Sequence, residues 1–328
     1  MNSNTLLRDN VRLLKGRNKI VYKFFADESF DSFFNKQGLC LRAKGKDALE
    51  FCQSAGADHA PMYTLCDIFG IDYGPEFESV FGKAAYGKGG EYKNITQLNS
   101  SALAALLCFY NVSENNPIKV KVTTHDGSKM LTLNRVEFEK ENPVYKLPSC
   151  IDVALYGSDG EKDCVLLLES KFSEYLKQGQ CKAGKSYKKD YERIIQKAGK
   201  QEIQKEYFAI QDNGETIIQG NHYCEGVKQM VSHYVGATKS EELKKGYNVY
   251  LGTILFDFSA KVKEAKDLLD DYKGCYSDIS RILNEVETER IPSGNRVRLV
   301  KEAWTYQEFF NGEIEFQLNG KVKQFYGL

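Results

Sequence analysis

The sequence carries no excess of either charge: Lys plus Arg and Asp plus Glu are equal at 45 each. No global field therefore draws the chain toward a polyanion or a membrane, and any anion site must be a local patch. No C-x-x-C pair occurs among the nine scattered cysteines, Cys40, Cys52, Cys66, Cys108, Cys150, Cys164, Cys181, Cys224 and Cys275. An odd, unpaired set predicts free thiols in a reducing cytoplasm and excludes a disulfide framework or zinc ribbon. The longest apolar run, Ala102 to Tyr110, is too short to span a bilayer, and the opening "MNSNTLLRDNVRLLKGRNK" has no signal-peptide core. A cytoplasmic chain with no membrane partner is the expectation. Prolines number six, and neither a repeat nor a convincing linker divides the 328 residues, so a single domain is expected.

What is present reads as α/β. "LNSSALAALLCFYNV", Leu98 to Val112, is apolar almost all round and predicts a helix against a sheet, capped by Asn99 or Ser100. "KMLTLNRVEFEK" and "SCIDVALY" alternate as strands, "GSDG" at Gly157 to Gly160 is a turn, and "DCVLLLESKF" is the next strand, making an antiparallel hairpin. "YCEGVKQMVSHYVGA" has helical spacing, "GYNVYLGTILFDF" is an apolar strand, and "AKVKEAKDLLDDYKGCYSDISRILNEV" is one or two amphipathic helices. The resulting order is helix, three strands, helix, strand, with elaborations at both ends.

One strand ends oddly. In "VLLLESKFSEYL" an apolar run closes on ionised groups, which are costly at the end of a buried strand unless paired or bound to something. Residues two apart on a strand share a face, so Glu169 and Lys171 project together. A register placing Asp152 beside Glu169 brings two carboxylates and an ammonium to one sheet edge. That donor set suits a hard divalent cation, Mg2+ or Mn2+, which needs only one or two carboxylates, a main-chain carbonyl and substrate phosphate. Such an ion polarises phosphate and acidifies water, while a lysine orients the nucleophile.

Asp152 followed by Glu169, Ser170 and Lys171 on the next strand resembles the PD-(D/E)xK nuclease core, whose αβββαβ order matches the one above. Here Pro148 precedes the aspartate by four positions where the family's name has them adjacent. A closer resemblance is to an uncharacterised bacterial group of restriction endonucleases. It is carried by "GKGGE" ending at Glu91, "SSAL" at Ser100 to Leu103, the aspartate strand, and "ESKF-x-EY" at Glu169 to Tyr175, over roughly Gly87 to Gly236. The resemblance implies a restriction-endonuclease-like core over about 87–258, a central mixed sheet flanked by helices, with elaborations at 1–86 and 259–328. It implies that Asp152, Glu169 and the Ser170 carbonyl ligate metal, that Lys171 positions the water, and that Glu91 adds an acid. Gln229 is similar to a glutamine that exonuclease-type relatives carry on the helix after the lysine.

Weighed alongside are blander readings. Glu174 suits a surface carboxylate or one that orients Lys171. "GKGGE" lacks the G-K-[ST] of a phosphate loop. His222, Cys224 and His233 fit no common zinc spacing. The basic stretch with Lys182, Lys185, Lys188, Lys189, Arg193, Lys197 and Lys200, interleaved with Tyr187 and Tyr191, is the phosphate-contacting candidate. The expected function is metal-dependent hydrolysis of nucleic acid, DNA first, in restriction or defence; cutting a duplex would favour a homodimer. The alternative is a catalytically silent nucleic-acid-binding or interaction protein that keeps the fold. No helix-turn-helix or zinc finger is present to read bases.

Overall fold

A computed structural model describes residues 17–26, 33, 39–44, 48–53, 61–85, 95–176, 181–198, 208–210, 216–218, 224–292, 294–312 and 314–328. Helix α1 (Arg17–Phe25) and the hairpin of β1 (Leu39–Lys44) and β2 (Ala48–Gln53) precede α2 (Pro61–Phe69), α3 (Pro75–Ala85) and α4 (Ser101–Phe109). Strands β3 (Ile118–Thr124), β4 (Gly127–Asn142), β5 (Ser149–Ser158) and β6 (Asp163–Lys171) follow. Next come β7 (Cys181–Lys182), α5 (Lys188–Ala198), β8 (Phe208–Ile210), β9 (Thr216–Ile218), α6 (Cys224–Ala237), α7 (Glu241–Lys244) and β10 (Asn248–Leu255). The chain closes with α8 (Glu264–Arg290), β11 (Val297–Leu299), β12 (Trp304–Thr305), α9 (Tyr306–Asn311), β13 (Ile314–Glu315) and α10 (Gly320–Tyr326).

The architecture is α/β around a mixed sheet ordered β11-β10-β6-β5-β4-β3-β13, with β12 also pairing β10. Strands β3 to β6 run antiparallel in sequence, whereas β10 lies parallel to both β6 and β11. Every residue of β10 is buried, as expected for a parallel strand covered on both faces. The sheet curls: a bridge joins Thr124 to Val300, and Lys301 donates its N–H to the Thr123 carbonyl at 2.9 Å, so the end of β3 meets the segment after β11.

Ser100 caps α4 through its side chain, which accepts the Leu103 N–H at 3.1 Å. The hairpin predicted at Gly157 to Gly160 joins β5 to β6 as expected. Two features differ from the sequence reading. Strand β3, with Ile118, Val120 and Val122 buried and Lys119, Lys121 and Thr123 exposed, adds a strand before the one read from Lys129. Part of 259–328 is built into the sheet as β11, β12 and β13.

Helices α4 and α9 cover the face to which Ser170 points: its hydroxyl reaches the Ser101 carbonyl at 3.3 Å and the Tyr306 hydroxyl at 2.8 Å. Helices α6 and α8 cover the opposite face, where His233, Tyr276 and Leu283 surround Glu169. Glycine at 236 lets α6 sit close to the sheet. A Cβ there would lie 3.0 Å from that of Ser149 and 3.1 Å from that of Asn142.

Candidate active site

Strands β5 and β6 pair only as far as Val153 with Leu168. Beyond that point β5 stays with β4 to Ser149, and β6 stays with β10 to Lys171. The sheet therefore forks, and Asp152, Glu169 and Lys171 stand at the opening. Asp152 takes the place of the ladder with its side chain: Oδ2 accepts the Ser170 N–H at 2.6 Å. Glu169 and Lys171 share a face, as period-two alternation predicts, and the Lys171 ammonium pairs with Glu169 Oε1.

The other oxygen of Glu169 faces a residue to which the sequence assigns no role. His233 on α6 brings Nε2 to 2.8 Å from Glu169 Oε2, and its Nδ1 lies 2.6 Å from the Ser149 hydroxyl. The Nε2 to Oε2 contact lacks hydrogen-bond geometry, so two polar atoms on side chains only 4% exposed face each other without a hydrogen bond. Beside them is a cavity with room for about one water, lined otherwise by Met230, Leu251, Thr253 and Tyr276. The sequence signal for His233 is its place one turn after Gln229 on the helix Cys224–Ala237.

The charges at the fork act on one another. Burial pushes the Glu169 carboxyl up, but Lys171 and then His233 override it and hold it down at about 2. Burial would discharge Lys171, yet Glu169, Asp152 and Glu174 keep it charged. Asp152 goes the other way: burial first, then the charge of Glu169, raises its carboxyl well above the usual range despite Lys171 and the Ser170 N–H. Two neighbouring carboxyls are thus driven apart, as expected of a pair sharing one site.

A folded-state pKa below the ordinary 4.5 means that Glu169 contributes stability above that pH and loses it as the pH falls toward about 2. Glu169→Gln is expected to abolish this part of the acid sensitivity, on the order of 3 kcal/mol over that window, read from urea midpoints at stepped pH.

Glu174 accepts the N–H groups of Phe172 at 2.8 Å and Ser173 at 2.9 Å, and so holds the turn after β6. Gln229 is half-buried on α6. Glu91 lies outside the described residues. Lys182, Lys185, Lys188, Lys189 and Arg193 are all exposed. The tyrosines among them serve as anchors: Tyr191 is 1% exposed, and the Tyr187 hydroxyl lies 2.7 Å from that of Ser232 on α6. Tyr145 in the β4–β5 loop donates to Asp190 at 2.6 Å and packs edge-on against Tyr187, joining this basic segment to the loop that leads into β5.

Among the described residues no group of three or more His, Cys, Asp or Glu side chains is placed to hold a metal ion. The donor chemistry nonetheless fits a hard cation, because that ion takes one or two carboxylates and draws its remaining ligands from water and phosphate. Burial raises the Asp152 carboxyl most, and the Glu169 charge that adds to it is the imbalance such an ion would relieve. None of the described helices is long and apolar enough to cross a membrane. Comparison with family models, curated proteins and solved structures finds no match for this chain.

Proposed function

We propose that the fork between β5 and β6 is the active site of a divalent-metal-dependent nuclease acting on DNA. The observation that carries this reading is the opening of the ladder at the point where Asp152, Glu169 and Lys171 converge. The order α4, then β4 to β6 antiparallel, then α6, then β10 parallel to β6 supports a restriction-endonuclease-like core, as the sequence resemblance implies. DNA as substrate rests on that resemblance and on the exposed basic segment.

Asp152 and Glu169 would hold the cation, Mg2+ or Mn2+, with the Ser170 carbonyl as the expected main-chain ligand. When bound, such an ion polarises the phosphate and makes water more acidic. Lys171 is kept protonated by its carboxylate neighbours, so it acts as a donor that orients the attacking water and offsets charge developing on phosphate. Gln229, one turn before His233, would hold a water or the substrate. Helices α6 and α8 bury the inner side of Glu169 and exclude bulk water there.

The test is incubation with supercoiled plasmid, linear duplex, single-stranded DNA and RNA, each with Mg2+, Mn2+ or EDTA. Metal-dependent product is expected with DNA. A triple change, Lys188→Ala with Lys189→Ala and Arg193→Ala, should weaken binding to all sequences alike. It should also flatten the slope of log affinity against log salt by about 0.9 for each duplex phosphate that is no longer neutralised. An unchanged slope would place the phosphate path elsewhere.

One observation favours a second reading. Lys171 and Glu169 are 6% and 4% exposed and already paired with each other, as in a silent site. A catalytically silent binding protein predicts salt-sensitive, metal-independent association and no product in any metal.

A further inference from the structure

The loop between β4 and β5 carries the most exposed large apolar side chain among the described residues, Leu147, at 75%. An exposed leucine on a loose loop would mean little, but this loop is pinned. Pro143 and Pro148 fix the backbone on either side of it. Tyr145 donates its hydroxyl to Asp190 at 2.6 Å and packs edge-on against Tyr187 at 5.2 Å. Lys239 on α6 sets its ammonium 4.2 Å from the centre of the Tyr145 ring and donates to the Val144 carbonyl at 2.9 Å. Two residues past Leu147, the Ser149 hydroxyl meets His233, which in turn contacts Glu169.

The fixed loop thus holds an apolar side chain in water beside the fork, and its surroundings are basic. Lys146 next to it is exposed, as are Lys188, Lys189 and Arg193 on α5, the helix whose Asp190 holds Tyr145. The other exposed aromatic pair, Tyr63 and Tyr73, differs in this respect, because Asp72 and Glu76 beside it repel phosphate. An apolar side chain flanked by cations is the combination that enters stacked bases: the cations hold phosphate while the side chain fills the gap between two base steps.

We propose that Leu147 is a wedge that enters the base stack of duplex DNA beside the phosphate held at the fork and unstacks one step there. This inference rests on the nuclease reading of the fork, and it adds a residue that touches bases to one that so far touches only phosphate. Asp152 follows Leu147 by five residues, so their backbones are at most about 17 Å apart. That span equals about five base-pair rises of about 3.4 Å, which sets the unstacked step within about five base pairs of the cut. A wedge on a fixed loop favours steps that unstack readily, pyrimidine followed by purine, so Leu147 selects sites through deformability and not through base edges.

The experiment is titration of a short duplex, carrying 2-aminopurine at its adenines, with the intact protein in Ca2+, which takes the same oxygen ligands as Mg2+. Fluorescence of the base analogue reads unstacking, and anisotropy of an end label reads binding. Wild type should raise the analogue's fluorescence by about twofold or more, and Leu147→Phe should keep that rise. Leu147→Ala should bind with an unchanged salt slope and lose the rise, and its melting midpoint should stay within about 2 °C of wild type because the side chain is exposed. Met130→Ala, an exposed apolar change on β4, should behave as wild type. Wild type that binds and cuts DNA with no rise, or Leu147→Ala that keeps it, would overturn the wedge, leave the nuclease reading standing and assign Leu147 to a protein contact instead. No binding to the duplex by wild type would overturn both the wedge and DNA as the substrate.

Discussion

Lys171→Met is expected to cost about 3–5 kcal/mol of folding stability and to abolish metal-dependent cleavage. Its ammonium is the principal counter-charge of a carboxylate that is only 4% exposed, and without it Glu169 is left with His233 in a nearly dry setting. Adding Glu169→Gln should recover most of the stability, because removing both members of a buried pair is far less costly than removing one. Activity should not return. Urea midpoints of the two single variants and the double variant read the coupling directly. A loss below about 1 kcal/mol in Lys171→Met would mean that the pair is solvated and weak.

Asp152→Asn should move stability and activity in opposite directions. Cleavage should fall about a thousandfold or more, since the fork then lacks a metal-holding carboxylate. Stability should hold or rise, because asparagine keeps an acceptor for the Ser170 N–H and removes a charge that burial and Glu169 disfavour. The sign of the pH dependence follows from the raised carboxyl. Its contribution to wild-type stability is fully present below the ordinary 3.8 and is lost as pH rises through the folded-state value. Variant and wild type should therefore be equally stable near pH 3.5, and the variant should gain relative to wild type as pH rises. A variant less stable than wild type at pH 8 would show that Asp152 is held ionised as a structural partner.

Local rules make part of this molecule legible. An apolar run after Ser100 calls for a capped helix, the glycine turn calls for a hairpin, and period-two spacing puts Glu169 and Lys171 on one face; the structure has all three. Strand β3 carries the same alternation, but its lysines and threonines dilute the apolar signal. The fork is not legible, because the end of a ladder depends on which neighbour each strand keeps, and β10 comes about eighty residues later. His233 escapes sequence reasoning for a related reason, since it reaches Glu169 only through the packing of α6 on the sheet. The tyrosines among the lysines show the converse, since a pattern that suggests stacking surfaces instead anchors the segment to its neighbours.

The most direct test of the nuclease assignment is cleavage of supercoiled plasmid by wild type and Asp152→Asn side by side, in Mn2+ and in EDTA. Nicked or linear product that appears only with wild type and only with the metal is the predicted result. Product at equal rates from both proteins, or product that persists in EDTA, would contradict a metal-dependent site at the fork.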